Sequence, residues 1–481
     1  MSYDDNGVER ELLAPKGDVL HQFRQDVRNG QLPTVSWLSA PQNFSDHPSS
    51  AWYGAWYVSE VLDILTQNPE VWKKTIFILT YDENDGYFDH VPPFTAPHSH
   101  KPGTGAVSKG IDTRADFVTL EQELARNDFP EKFDKENSIG LGFRVPMVIA
   151  SPWSKGGWVN SEVFDHTSTL QFLETFLNKK TGKQINETNI SDWRRTICGD
   201  LTTTFRPYYS EQMSTPDFIS RDTFLEGIHK AQFKAVPSDF KVLSPQEVSQ
   251  LNSDTYSSPY MPRQEEGIRA SCALPYQLYA GGKLNPVKKI FEIKFEASDK
   301  IFDKNSLGAP FNVYAPGKYV QKNNPQQFEN ARTWAYGLTA GDSITDAWPL
   351  NEFENDNYHL RVYGPNGFYR EYKGNQTDPL LDITCEYQAG TTGNIELKFE
   401  SLNGNKPYHI EIADNAYKTN NHQKEVKAGQ PALLALDLSK SFGWYDFTIR
   451  VAGNSQFEQR FAGRVETGRP GFSDPFMGRV V

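Results

Sequence analysis

The chain has 481 residues, 37% of them hydrophobic and 23% charged, which suits a globular protein of roughly two to four domains. Its 61 acidic residues outnumber 49 lysines and arginines, and the net charge of -12 argues weakly against a nucleic-acid binder, which holds phosphates on a basic surface. No apolar run approaches the roughly 18 residues of a transmembrane helix. Three widely spaced cysteines exclude a disulfide framework.

The first segments predict a strand and a helix. The β-rich run "LPTVSWLSA" (32–40) predicts a short strand that ends at Pro41. "SSAWYGAWYVSEVLDILTQNPE" (49–70) predicts a helix that stops at Asn68-Pro69. The apolar face of this helix is formed by Tyr57, Val61, Leu62 and Leu65.

Two continuous apolar runs of strand length follow, "TIFILTYD" (75–82) and "RVPMVIASPW" (144–153). Next, "DHTSTLQFLETFLNKKTG" (165–182) predicts a helix with an N-cap cluster at its start and glycine at its end. Its predicted apolar face consists of Leu170, Leu173, Phe176 and Leu177. Apolar strands alternating with helices predict an α/β region, residues 1–235, with a mostly parallel sheet between flanking helices.

Residues 236–284 are rich in serine, proline and charge, which predicts a linker or strap with one short helix at "SPQEVSQL". After it the hydrophobic period changes to two, as in "IFEIKFEA" (290–297) and "IELKFES" (395–401). This alternation predicts half-buried β-strands.

Shared landmarks in one order predict an internal duplication of about 95 residues in the β-rich part. "RVYGPNGFYREYKG" (361–374) aligns without gaps to "RVAGNSQFEQRFAG" (450–463), and Tyr372 then stands against Phe461. The first copy carries an insertion around "QKNNPQQFENARTWAY". The sequence therefore predicts two all-β sandwich modules, 285–378 and 379–470, followed by a tail, 471–481.

The acidic segment "TYDENDGYFDHVPP" (80–93) follows the first apolar run directly. Adjacent carboxylates at Asp82 and Glu83 repel each other, so they need a cation or hydrogen-bond donors. Ligands bind at the carboxyl ends of strands in open α/β sheets, and oxygen donors suit a hard divalent cation. A solvated loop with a turn at Asp85-Gly86 explains the segment equally well.

Three histidines stand in similar places. His47 in "FSDHPSS", His90 in "FDHVPP" and His166 in "FDHTS" each lie in a connection after a predicted strand. A histidine there can bind a phosphoryl oxygen or protonate a leaving group near neutral pH. Each one taken alone is more often structural.

These segments resemble one family. "LPTVSWLSAPQNFSDHPSS", "YDENDGYFDHVPP" and "FRVPMVIASPWSKGGWVNSEVFDHTSTLQFLE" resemble the bacterial phosphocholine-preferring phospholipases C. That group stands with acid phosphatases in a phosphoesterase family of the alkaline-phosphatase superfamily. The resemblance continues through "IRASCALPYQLYA" into the duplicated modules, so it covers nearly the whole chain.

The resemblance implies roles for named residues. Asp82 and Glu83 match the family's metal ligands, and the cofactor is a divalent metal ion, with Ca²⁺ as one candidate. His47 matches a histidine near the substrate phosphoryl group, and His90 and His166 match further motif positions. A choline headgroup needs an aromatic cage, which Trp52, Tyr53 or Trp56 could supply, although these aromatics are more often core residues.

The resemblance also implies a missing part. Family members begin with a secretion signal and an "ENRSFDHYFG"-like segment, and their threonine or serine nucleophile lies downstream of it. None of these precedes the matched segments here, so we expect an N-terminally truncated chain without its nucleophile and without turnover of its own. The implied location of the complete protein is secreted or periplasmic.

Three functions remain open from the sequence. The first is a phospholipase C acting on phosphatidylcholine-type lipids at a membrane surface, with no nucleic-acid partner and no transmembrane segment. The second is an acid phosphatase acting on phosphomonoesters. The third is a non-enzymatic fragment whose β-modules bind membrane or glycan.

Overall fold

The computed structural model describes residues 18–45, 47, 53–126, 130, 132, 134–208, 210, 217, 219–236, 238, 240–261, 263, 265–321, 324–402 and 407–481. The chain divides into two compact units. The front unit comprises Met1–Tyr87, Val145–Gly156 and Arg206–Arg263. The β-rich unit comprises Phe88–Arg144, Gly157–Phe205 and Gln264–Val481.

The α-helices of the described residues are short and lie before residue 254. In chain order they are α1 (His21–Arg28), α2 (Tyr53–Thr66), α3 (Pro69–Trp72), α4 (Leu120–Arg126), α5 (His166–Thr181), α6 (Asp192–Ile197), α7 (Arg221–Ala231) and α8 (Pro245–Ser253). Over the same residues, no helix combines the length and the apolar character needed to cross a membrane.

Strands dominate the second half of the chain. They are β1 (Phe77–Thr80), β2 (Gly105–Val107), β3 (Phe117–Val118), β4 (Asn137–Ser138), β5 (Met147–Ala150), β6 (Ala270–Ser271), β7 (Leu278–Asn285), β8 (Ile290–Ala297), β9 (Ala309–Ala315), β10 (Tyr319–Gln321), β11 (Asn324–Glu329), β12 (Arg332–Leu338), β13 (Asp342–Pro349), β14 (Tyr358–Tyr363), β15 (Tyr369–Gly374), β16 (Leu381–Tyr387), β17 (Ile395–Ser401), β18 (Tyr408–Asp414), β19 (His422–Val426), β20 (Ala432–Leu436), β21 (Trp444–Val451), β22 (Asn454–Arg464) and β23 (Gly471–Phe472).

The predicted helix of the front unit is present as α2, and its face buries Tyr57, Val61 and Leu65. Asn68 lies between the end of α2 and the start of α3. Its side chain accepts a hydrogen bond from Val71 N at 3.3 Å, which caps α3, and donates one to Val27 O of α1 at 2.8 Å. The Asn-Pro pair therefore stops one helix and starts another, because proline is favoured in a first helical turn.

The mostly parallel sheet predicted for the first 235 residues is wrong for the strands of the front unit that the structure describes. β1 and β5 are present, but they pair antiparallel, with Phe77 opposite Ala150. The parallel prediction assumed strands covered on both faces. All four residues of β1 are only half-buried and Val148 is 54% exposed, so that assumption fails.

Two further expectations for the first 235 residues also need correction. Residues 32–40, all of them described, form no strand, and Trp37 is 69% exposed. High β-propensity does not make a strand without a partner strand. In α5 the expected bounds hold, but the buried side chains are Ser168 and Gln171, whereas Leu170 is 37% exposed.

The β-rich unit is built on one large sheet. Over the described residues it has nine strands in the order β19-β18-β21-β22-β15-β14-β9-β12-β2. Two three-stranded sheets accompany it, β13-β8-β7 and β16-β17-β20. Side chains of all three sheets share one buried cluster; Phe295 of β8, for example, stacks on Tyr336 of β12 at 4.3 Å.

The two predicted modules are therefore joined edge to edge within a single sheet. β15 of the first copy pairs antiparallel with β22 of the second. Glu371 and Arg460, which the duplication makes equivalent, are direct partners in this pairing. Equivalent residues facing each other in an antiparallel pair mark a local two-fold axis, as at the interface of a symmetric dimer.

The register corrects the gapless alignment of the two copies. Tyr358 lies opposite Gly374 in the first hairpin, and Tyr445 lies opposite Gly463 in the second. The second strands of the hairpins thus keep the sequence alignment, while the first strands are offset by two residues. The two hairpins therefore differ in the length of their turns, which the gapless sequence alignment does not show.

A buried arginine lies at this junction. Arg370 is 2% exposed, and it donates hydrogen bonds to Tyr369 O and Ala462 O, both at 2.8 Å, and to Tyr445 Oη at 3.0 Å. Its guanidinium carbon lies 4.1 Å from the ring centre of Phe368. Carbonyl and aromatic groups of both copies thus hold the cation.

The last strand of the large sheet comes from outside the β-modules. β2 pairs parallel with β12, with Gly105 opposite Ala335. A Cβ at Gly105 would lie 1.7 Å from Ala335 O, and the residue has a φ of +115°, so glycine is required there. The Asn312 side chain also donates to Pro93 O at 3.0 Å, which ties the segment after His90 to β9.

We expect Phe461→Ala to lower the free energy of unfolding of the β-rich unit by about 3–5 kcal/mol, because the ring is 2% exposed in the shared core. Leu433→Ala is the matched control on a strand residue 55% exposed, with an expected change within about 0.5 kcal/mol. Chemical denaturation followed by tryptophan fluorescence measures both. Equal effects of the two substitutions would contradict the shared core.

Candidate functional site

The acidic segment lies just beyond β1, as predicted. Asp82 and Glu83 follow the end of the strand at Thr80 and are both exposed. The segment then turns at Asn84, whose side chain accepts from Gly86 N at 3.3 Å and whose carbonyl accepts from Tyr87 N at 2.8 Å. The turn and the exposed acidic pair are thus both present.

The chemistry of this pair suits a hard divalent cation, because exposed carboxylate oxygens are the ligands that Ca²⁺ and Mg²⁺ prefer. Two carboxylates supply only part of the six or more oxygens that such an ion takes. Within the described residues, no group of three or more histidine, cysteine, aspartate or glutamate side chains is placed to hold a metal. Asp82 and Glu83 therefore fit as part of a ligand set, and further ligands are needed.

The other predicted residues of the front unit lie before and within α2. His47 is exposed and follows a short 3₁₀ turn, Gln42–Phe44. Tyr53 is the first residue of α2 and is 40% exposed. Trp56 is half-buried, and its ring centre lies 5.4 Å from that of Phe44. Both rings pack against the buried cluster of the front unit that includes Tyr57 and Val61. Trp52 lies outside the described residues.

His90 belongs to the β-rich unit and contacts the preceding residue, Asp89. Its Nδ1 lies 3.0 Å from Asp89 Oδ1, and its side chain is 77% exposed. Asp89 is also hydrogen-bonded by the Arg144 guanidinium, and this bond holds the pKa of the carboxyl below its usual value. The Asp89 carboxylate therefore faces the Nδ1 edge of the His90 ring.

His166 is the first residue of α5 and is exposed. Asp165, directly before it, caps the helix: its carboxylate accepts from Thr167 N at 2.9 Å, and its own N donates to Ser168 Oγ at 3.1 Å. This capping box fixes the backbone on both sides of His166.

Arg194 of α6 secures that cap. It donates from Nη1 to Asp165, from Nε to Asp116 at 2.8 Å and from Nη2 to Gly140 O at 2.8 Å. The Asp116 and Asp165 side chains are 1% and 3% exposed. One arginine therefore compensates two buried carboxylates and joins three segments of the β-rich unit around the start of α5.

The predicted site residues are divided between the two units. His47, Tyr53, Trp56, Asp82 and Glu83 belong to the front unit, whereas His90 and His166 belong to the β-rich unit. Sequence reasoning missed Asp89 and Arg144 beside His90, and also Asp165 and Arg194, which fix the start of α5 at His166. Asp89 and Asp165 each stand directly before a candidate histidine in "FDH", and that repeat was an available signal.

We expect Arg194→Met to lower the free energy of unfolding by about 3–5 kcal/mol, because it leaves Asp116 and Asp165 buried without a counter-charge. The matched control is Arg114→Met, which removes an exposed pair with Asp112 and leaves the unfolding midpoint unchanged within error. Thermal unfolding at pH 7 compares them. A midpoint of Arg194→Met equal to that of the control would show that the cluster carries little stability.

Two protein families match different parts of the chain. Residues 2–178 match the phosphoesterase family. Residues 270–375 and 381–464 each match the C-terminal domain of bacterial phospholipase C. The β-rich part thus matches one domain twice in succession.

Curated relatives extend over almost the whole chain. The non-hemolytic phospholipases C of Burkholderia pseudomallei and Pseudomonas aeruginosa are each 36% identical to it, over 96% and 95% of the chain. The hemolytic phospholipase C of Pseudomonas aeruginosa is 33% identical over 98%.

The chain spans 59%, 60% and 61% of the lengths of these three relatives. The matches run through the acidic segment after β1, the three histidine motifs and both β-modules. Residues 2–178 are thus similar to the phosphoesterase family, and the residues from 270 onward are similar to the C-terminal domain of the bacterial phospholipases C.

Proposed function

We propose that this chain is part of a phospholipase C that hydrolyses the phosphodiester of phosphatidylcholine-type lipids to diacylglycerol and a phosphorylated headgroup. The observation that carries the proposal is similarity to phospholipases C over 96% of the chain, through the exposed acidic pair and both β-modules. The C-terminal domain match favours a phospholipase over an acid phosphatase.

The residues of the chain take the following roles in this proposal. Asp82 and Glu83 hold a divalent metal ion, which when bound stabilises negative charge on phosphoryl oxygens. His47, His90 and His166 bind phosphoryl oxygens or protonate the leaving oxygen. Asp89 is the positioning residue for His90, since its carboxylate lies 3.0 Å from Nδ1.

The substrate and setting complete the proposal. Trp52, Tyr53 and Trp56 are the aromatic residues that a trimethylammonium headgroup would contact. The substrate is a lipid at a membrane surface, and the location is secreted or periplasmic. In the proposed division, residues 1–235 form the catalytic region, 285–378 and 379–470 the β-modules, and 471–481 the tail. The expected strap, 236–284, is shortened to the residues before 270, because β6 and β7 lie in its last part and the first domain match begins at residue 270. The nucleophile is expected in the part of the relatives that this chain does not match.

The direct test uses an extended polypeptide, in which whatever part of the Burkholderia pseudomallei relative lies before its matched region precedes this chain. We expect it to release phosphocholine from phosphatidylcholine at least tenfold faster than phosphate from a simple monoester. The 481-residue chain alone is expected to release neither. A preference for the monoester would instead support an acid phosphatase.

In the extended polypeptide, Asp82→Asn and Glu83→Gln should each lower bound metal and reduce turnover at least a hundredfold, because each removes an anionic oxygen ligand. Asp85→Asn, in the turn of the same loop, is the matched control and should keep both. Metal content by mass spectrometry and phosphocholine release are measured together. Wild-type metal content in both ligand variants would refute the assignment.

A further inference from the structure

A cavity of about 320 Å³ lies in the β-rich unit where the two module copies meet. The β7–β8 hairpin, β14, β22 and the segment that leads into β16 contribute its lining. Its apolar wall includes Leu284, Pro286, Leu380 and Phe457. Its lining also includes two carboxylates, Asp378 and Glu292, and one lysine, Lys283.

Asp378 is the buried acid of this cavity and is 7% exposed. It accepts hydrogen bonds from Tyr358 Oη at 2.6 Å and from Asn375 N at 2.9 Å. No lysine, arginine or histidine of the described residues forms an ion pair with it. Gly374 makes room for it, because a Cβ there would lie 2.2 Å from Asp378 Oδ2.

The other charges of the lining leave the cavity negative. Glu292 forms no ion pair with any residue that the structure describes. Lys283, the cation of the lining, is paired with Asp382 outside it at 3.1 Å. A buried carboxylate is costly unless a cation compensates it, and this one borders a space that can hold a cation.

The side-chain amide of Gln459 also favours a cation in this cavity. Gln459 is 3% exposed and lines the cavity, and its Oε1 has no hydrogen-bond partner among the described residues. A buried acceptor without a donor adds to the negative character of the lining. The described residues offer no group of three metal-binding side chains, and the wall is apolar, so an organic cation fits better than a metal ion.

The duplicated module provides an internal comparison. Asp378 lies four positions after Gly374 of the first copy, and Thr467 lies four positions after the equivalent Gly463 of the second. Thr467 lines a separate cavity of about 240 Å³, together with the cationic Arg464. The second copy has a buried acid one residue earlier, Glu466, but Arg464 pairs with it at 3.0 Å. A buried acid without a cationic partner among the described residues is therefore what distinguishes the first copy.

We propose that the cavity of the first copy binds a small organic ammonium ion with a hydrocarbon body. The ammonium group lies against Asp378 and Glu292, and the hydrocarbon packs on Leu284 and Leu380. The cavity that Thr467 lines contains Arg464 and, among the described residues, no carboxylate, so it would repel the ammonium group. The site is separate from the proposed catalytic residues and does not depend on the proposed function.

The pH dependence follows from the cavity. Burial raises the pKa of Asp378 to about 6, so the carboxyl is mostly neutral at pH 5 and ionised at pH 7.5. An alkylammonium ion keeps its proton over that range, as a lysine side chain does. The charged and titratable groups around Asp378 are Tyr358, Glu292 and Lys283. Affinity should therefore rise from pH 5 to pH 7.5.

The test compares pentylammonium with pentan-1-ol, which has the same hydrocarbon body and no charge. Leucine-methyl NMR of the 481-residue chain reports on Leu284, Leu380 and Leu381, which line the cavity. We expect the ammonium ion to shift these methyl signals with at least tenfold higher affinity than the alcohol at pH 7.5. Equal affinities of pentylammonium and pentan-1-ol would overturn the proposal. So would shifts confined to methyl signals of leucines outside the cavity.

Asp378→Asn keeps the shape and the acceptor for Tyr358 but removes the charge, and it should lower ammonium affinity at least tenfold while leaving the alcohol unaffected. Glu411→Gln, at an exposed residue of β18 that does not line the cavity, is the matched control and should leave both affinities unchanged. If Asp378→Asn does not fold, Glu292→Gln is measured in its place with the same expected direction. Undiminished ammonium binding in the folded variant would contradict the site.

Discussion

The pairing of β15 with β22 is the interaction on which the β-rich unit depends. It joins two copies of one module into a continuous sheet, with Glu371 opposite its own equivalent, Arg460. The three-stranded sheets then cover a single core instead of two. The buried Arg370 is satisfied only when both copies are present, because Ala462 and Tyr445 of the second copy accept its hydrogen bonds.

This sheet also supports segments that carry candidate catalytic residues. β2 extends it through parallel pairing with β12, and Asn312 binds the backbone at Pro93, close to His90. The Arg194 cluster holds the start of α5, where His166 lies. Two of the three candidate histidines thus rest on the β-rich unit, although the sequence pattern placed them in a separate catalytic region. Rigid support of this kind is what positioning of catalytic groups requires.

Local features could be predicted from the sequence, and pairing could not. The bounds of α5 follow from Asp165 and Gly182, since capping is a local property. The alternation in β8 gave its buried face for the same reason. The antiparallel pairing of β1 with β5 depends on which segments meet, and an apolar run carries no direction. β2 has three residues and no pattern, and only the close contact of Gly105 with Ala335 explains its sequence. The acidic pair after β1 was predicted in place, whereas Arg144 and Arg194, distant in sequence from the aspartates they bind, were not.

The central claim is that Asp82 and Glu83 are metal ligands of a phospholipase C, and the location of the metal tests it most directly. Anomalous diffraction from crystals of the extended polypeptide, grown with the metal that supports turnover, would place the ion. The account predicts a peak about 2.0–2.6 Å from carboxylate oxygens of both residues. A fully occupied metal bound away from both carboxylates would contradict it.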